Sequence, residues 1–302
     1  MAIAADSMNG ILRCLALGAS LQASAAEILA EVKDTKRITA RIQLDKKRRR
    51  VLDFFLKVNP QDRYETSLSL RHPRTGMWLL RLAAFQTWTD MPGSKLWLTG
   101  IPGAGKTVLA GSVIEAALAK GSESIAVAFF FCDYKDEKTH LPVNILGALA
   151  SQLAMQNDAA YLILARYHRE LHPDHQLARN PTVDGLRVAL SDMILEYDQT
   201  YLIVDGIDEC GRHVADVISA LASWAETQDR LKIALLSRDE VDIRGYLKDG
   251  YENVEIAAHS EDVTEYATAQ IEERVRTGRL RLHDPLLKEE IVQRLIEGAG
   301  GM

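Results

Sequence analysis

Gly100-Ile101-Pro102-Gly103-Ala104-Gly105-Lys106-Thr107 matches GxxxxGK[ST] at every fixed position, a pattern that chance supplies about once in a hundred chains of this length. Lys95-Leu96-Trp97-Leu98-Thr99 reads as the strand that leads into it, and Val108 to Lys120 as the helix that follows. Gly103 and Gly105 carry no Cβ, so the backbone between them can turn its N–H groups inward and admit phosphate oxygens. The helix opening near Lys106 aims the positive end of its dipole at the same anion. The stretch therefore predicts that Gly100, Ile101, Pro102, Gly103, Ala104, Gly105, Lys106, Thr107 and Val108 hold the phosphates of a nucleotide. The Lys106 ammonium is expected on the β and γ phosphates and the Thr107 hydroxyl on Mg2+.

Working outward, Tyr201-Leu202-Ile203-Val204 reads as a buried strand running into Asp205-Gly206-Ile207-Asp208-Glu209. Carboxylates at the C-terminal end of such a strand lie where open α/β sheets bind ligands. Asp205 is expected to hold Mg2+ together with Thr107, and Asp208 or Glu209 to polarise an attacking water. Leu235-Leu236-Ser237-Arg238 ends another apolar run, placing Arg238 where a cation could sense the γ-phosphate. The catalytic candidates are thus Lys106, Asp208, Glu209 and Arg238.

The rest of the chain supplies the frame. Strand candidates are Lys95 to Thr99, Ile125 to Cys132, Tyr201 to Val204, Leu231 to Ser237 and Val254 to Ile256. Between them lie helical patterns over Thr107 to Lys120, Val143 to Gln156, Val183 to Glu196, His213 to Glu226 and Val241 to Leu247, with two more over Asp262 to Val275 and Pro285 to Glu297. Ala126-Val127-Ala128-Phe129-Phe130-Phe131 is apolar on both faces, as a central strand under helices must be. The predicted class is α/β: a three-layer P-loop NTPase domain with a parallel central sheet, preceded by a helical N-terminal segment and followed by a short helical extension.

With 302 residues, 47% hydrophobic and 26% charged, the composition excludes a disordered chain or a rod. A formal charge of -6 speaks against wrapping nucleic acid. No run is apolar for long enough to span a membrane. Three widely spaced cysteines, Cys14, Cys132 and Cys210, give no disulfide framework, and Cys210 reads as a lone packing residue. His140, His168, His172 and His175 lack partners at metal-ligand spacing. Ile11 to Ile42 carries one mostly apolar stripe at helical spacing, a surface for its own protein or for a helical partner. Lys46-Lys47-Arg48-Arg49-Arg50 follows as a basic, solvated run. The expected location is cytoplasmic.

Taken together, Gly100 to Thr107, Phe129-Phe130-Phe131-Cys132-Asp133-Tyr134, Asp205-Gly206-Ile207-Asp208-Glu209 and Ser237-Arg238 resemble the NACHT class of STAND nucleotide-binding switches, in particular the nephrocystin-like NACHT domains of fungal NLR-type proteins. The resemblance covers about Arg48 to Met302. It implies that Arg74-Thr75-Gly76-Met77-Trp78-Leu79-Leu80 lies against the nucleotide base, so Thr75 and Gly76 join the nucleotide-binding candidates. The sequence pattern divides the chain into a helical region and basic linker over 1–70, a nucleotide-binding domain over 71–260, and a helical extension over 261–302, which by the resemblance stops before the family's winged-helix and repeat regions. The resemblance implies a switch that binds ATP, with GTP second, hydrolyses it slowly to ADP, and oligomerises when activated. A non-hydrolysing nucleotide-binding interaction module, or a truncated regulatory fragment, is the rival reading.

Overall fold

The computed structural model describes residues 44–72, 75–225, 228–256, 260–280 and 285–299. The helix expected over Ile11 to Ile42 lies outside the described residues. The chain divides after Val51. Helix α1 covers residues 44–55, and most of its basic run is exposed.

From Leu52 onward the architecture is a five-stranded sheet in the order β2-β3-β4-β1-β5, every neighbouring pair parallel. The strands are β1 (Lys95–Thr99), β2 (Ile125–Phe131), β3 (Gln199–Asp205), β4 (Leu231–Ser237) and β5 (Glu252–Glu255). The helices are α2 (Gln61–Leu70), α3 (Met77–Arg81), α4 (Ala83–Asp90), α5 (Lys106–Lys120), α6 (Pro142–Gln156), α7 (Asp158–Leu171), α8 (Val183–Ile194), α9 (Val214–Ala225), α10 (Val241–Leu247), α11 (Ser260–Arg276) and α12 (Pro285–Ala299). This is the three-layer α/β arrangement that apolar strands alternating with amphipathic helices dictate.

Both faces of the sheet are dry over β1 to β4. Leu96, Leu98, Val127, Phe129, Tyr201, Ile203, Ala234 and Leu236 form one core with Leu109, Val113 and Ile114 of α5 and with Trp88 of α4. The alternate residues Trp97, Ala128, Phe130, Leu202, Val204, Ile233 and Leu235 are equally buried, on the opposite face as the period of two requires. At roughly 25 cal/mol per Å2 of apolar surface, this two-sided burial is the main force holding the sheet.

The β2 edge is closed by side chains. Gln152 and Gln156 of α6 stand four residues apart, a rise of about 6 Å along a helix, which nearly matches the advance of two residues along a strand. Gln152 accepts from the Phe129 N–H (3.1 Å) and donates to the Phe129 carbonyl (2.8 Å). Gln156 repeats the pair on Val127 at 3.1 and 2.8 Å. The two amides thus imitate a missing strand over Val127 and Phe129.

Two segments differ from the sequence reading. A polar connector is expected at Asn59-Pro60-Gln61-Asp62, but helix α2 already begins at Gln61, buries Tyr64 and Ser67 and packs on α5; it belongs to the compact unit that begins at Leu52. The stretch after Gln156 is helix α7, capped by Asn157, whose side chain accepts from the Ala159 and Ala160 N–H groups at 2.7 and 3.2 Å.

Candidate functional site

Strand order decides what meets what. β4 lies between β1 and β3, so the loop after β1 and the carboxylate at the end of β3 stand about 10 Å apart across one intervening strand. The end of β4 ties the two together: its Ser237 carbonyl accepts from Gly100 N–H at 3.3 Å, and its Leu236 carbonyl from Gly206 N–H at 3.0 Å.

In the loop, Gly103 and Gly105 have φ of 84° and 81°, the left-handed region that glycine enters freely. A Cβ on either would meet no atom within 4 Å. These glycines answer to backbone conformation and leave open the space in front of the loop. Lys106 opens α5, and its Nζ donates to the Gly100 and Ile101 carbonyls at 2.7 and 3.1 Å. Burial lowers its pKa, opposed chiefly by Asp208 and Asp205.

Asp205 ends β3, is 3% exposed, and its Oδ1 has no hydrogen-bond partner. Its pKa is raised to about 7, chiefly by burial, with Glu209 and Asp208 adding to the rise and the Thr107 hydroxyl opposing it. An orphaned buried carboxylate oxygen beside a threonine hydroxyl is an oxygen donor set suited to a hard divalent cation. Gly206 makes the following turn with φ 76°, and a Cβ there would come within 2.8 Å of the Cys132 carbonyl. That close approach accounts for glycine directly after the aspartate.

The two following acids part company. Asp208 accepts from the Arg238 N–H and from Arg238 Nε, each at 3.0 Å, and its side chain is 3% exposed. The arginine expected to sense a γ-phosphate is thus joined to one of the two acids considered for the attacking water. Glu209 instead accepts from the Tyr134 N–H at 3.0 Å and lines a cavity of about 240 Å3 together with Thr107 and Asp205. The remaining walls are Arg63, Phe131, Cys132, Asp133, Tyr134 and Lys135.

Thr75 and Gly76 form a turn: Thr75 Oγ1 donates to the His72 carbonyl at 2.8 Å, and Gly76, at φ 78°, leaves only 2.7 Å between a would-be Cβ and Leu109 of α5. This sets the turn against the helix of the phosphate loop. Cys210 is not alone: it and Cys132 are both buried free thiols, and its proximity to Cys132, together with burial, raises the Cys132 pKa well above the ordinary thiol value. The sequence reading missed Arg63, which nothing in its polar neighbourhood singles out. It also missed the part played by Asp133 and Tyr134, which follow the apolar run of β2 and so fall at the ligand-binding edge of the sheet.

A family model described as Nephrocystin 3, N-terminal, matches residues 74–238. Vegetative incompatibility protein HET-E-1 of Podospora anserina is 26% identical over 204 residues, or 66% of this chain and 15% of that protein. The chain therefore spans about 15% of the length of this relative. Among solved structures, the Walker-type ATPase of Pyrococcus abyssi aligns with 74% of this chain and 62% of its own at 14% identity and a TM-score of 0.44. Drosophila ORC bound to DNA aligns with 78% and 55% at 14% identity and a TM-score of 0.42.

Proposed function

The chain belongs to the nephrocystin-3 N-terminal family and is a NACHT-class P-loop NTPase, and from that premise we propose that it binds ATP with Mg2+, hydrolyses it slowly to ADP and phosphate, and uses the difference as a signal. The observation that carries this reading is the unpartnered Asp205 Oδ1, buried beside Thr107 at the mouth of the phosphate loop. Bound there, Mg2+ would neutralise charge on the β and γ phosphates. Thr107 and Asp205 would hold it, and Lys106 would exchange the Gly100 and Ile101 carbonyls for phosphate oxygens. The N–H groups of Gly103 to Val108 would cradle the phosphates.

Water attacks in line with the leaving ADP. Glu209 is the residue to orient it, because its carboxylate faces the cavity that Thr107 and Asp205 line and is steadied by the Tyr134 N–H. Asp208, held on both the backbone and the side chain of Arg238, positions that arginine at the end of β4. ATP ranks ahead of GTP because no guanine-reading NKxD pattern occurs in the sequence. Thr75 and Gly76 border the base. Signalling, and self-assembly in the triphosphate state, are what the resemblance to NACHT-class switches implies for this chain.

Single-turnover phosphate release tests the proposal. Glu209→Gln should slow release by about 100-fold, with nucleotide affinity retained. An unchanged rate in that variant, or no release from the wild type, would refute hydrolysis at this site.

A further inference from the structure

The cavity bounded by Thr107, Asp205 and Glu209 has a wall from outside the loops that sequence motifs mark: Arg63 of α2. Its position there is set by helix packing. Arg71 Nη1 reaches Glu115 of α5 at 2.7 Å. Four residues earlier on each helix, Ser67 lies so close to Gly111 that a Cβ on the glycine would stand 2.3 Å from Ser67 Oγ. Four residues earlier again, Arg63 and Thr107 share the cavity. Contacts that repeat at the same interval on both helices mean that α2 runs parallel to the phosphate-loop helix, so the register that fits serine onto glycine also brings Arg63 to the magnesium-binding threonine.

The electrostatics of this wall are unbalanced. Asp133, Asp205 and Glu209 line the cavity against Arg63 and Lys135. The Arg63 guanidinium is paired with Asp133 Oδ2, its side chain 54% exposed and that of Asp133 only 12%. Asp133 is fixed by a second bond, its Oδ1 accepting from the Lys135 N–H at 3.0 Å. One member of the pair is anchored while the other sits on a long, exposed stem. Arg238, by contrast, is bound to the buried Asp208 by two bonds.

The geometry points to Arg63 as the residue that reads the terminal phosphate: it leaves Asp133 for the γ-phosphate oxygens of a bound nucleoside triphosphate and returns when that phosphate departs. This rests on the nucleotide-binding reading above. A guanidinium matches phosphate oxygens in a planar, two-pronged fashion, and Asp133 competes with the phosphate for the same donors. Arg63 would thereby discriminate triphosphate from diphosphate.

The test is calorimetric titration of the full chain, with Mg2+, by a non-hydrolysable ATP analogue and by ADP, for the wild type, Arg63→Ala and Asp133→Asn. Arg63→Ala should weaken the triphosphate analogue by about 10- to 100-fold, the range for a hydrogen-bonded charge, and change ADP by less than about twofold. Asp133→Asn keeps an Oδ1 acceptor for Lys135 but removes the rival charge, so it should tighten the triphosphate analogue and leave ADP alone. Equal weakening of both nucleotides by Arg63→Ala, or none of either, would overturn the role of Arg63 while leaving the binding site intact. A wild-type chain that binds neither nucleotide would overturn the site itself, and this inference with it.

Discussion

Two buried charges occupy neighbouring strands and differ in what surrounds them. Asp205 on β3 faces the cavity, and burial, with Glu209 and Asp208 adding to the effect, raises its pKa to about 7. Lys232 on β4 is wholly buried, with Nζ on the Thr89 carbonyl and 5.3 Å above the Tyr201 ring. Burial lowers its pKa to about 8, with Lys120 adding to the effect and Asp90 opposing it. Because the folded value lies below the 10.5 of an exposed lysine, the folded chain holds fewer protons than the unfolded one between about 8 and 10.5. Stability contributed by this group therefore rises with pH across that window and is at its lowest below it. Lys232→Met should stabilise the protein at pH 7 by about 1–3 kcal/mol, and the gain should shrink as pH approaches 10.5. Urea denaturation at several pH values checks this; a gain independent of pH would contradict it.

At the scale of elements, the edge of β2 depends on two side chains rather than on a strand. Gln152→Ala strips Phe129 of a donor and an acceptor partner at once. It should cost about 1–3 kcal/mol, more than truncating the exposed Glu123, measured by chemical denaturation. An effect no larger than that control would mean that water replaces the amide freely. Elements with a strong period were legible in the sequence: Lys95–Thr99 and Leu231–Ser237 coincide with β1 and β4. β5 was less so, since Glu252–Glu255 is a mostly exposed edge paired only with β1, and polar residues hid all but Val254. Helix α7 escaped because Ala159 to Ala165 is an unbroken apolar run, with Leu162 exposed, so no stripe marks Ala160, Tyr161, Leu164 and Leu171 as the inward residues. The glutamine pair could not be read either, because its meaning depends on which strand lies at the edge.

For the whole molecule, periodicity announces strands and helices but not their order. Inserting β4 between β1 and β3 brings Ser237 and Leu236 against Gly100 and Gly206, and no local pattern encodes that insertion. The phosphate loop was legible because glycine, lysine and threonine at fixed spacing have a single physical use. Arg63 with Asp133, and Cys132 with Cys210, were not, because the partners stand 70 and 78 positions apart and no local pattern says which residues meet. All of these contacts converge on one claim, that a triphosphate and a divalent cation bind between Lys106, Thr107 and Asp205. The most direct measurement is an equilibrium titration of ATP into the wild type and Lys106→Ala, each with and without Mg2+. Binding by the wild type that strengthens with Mg2+, and its loss by at least about 100-fold in Lys106→Ala, is the predicted result. Undiminished affinity in Lys106→Ala, together with indifference to Mg2+, would contradict it.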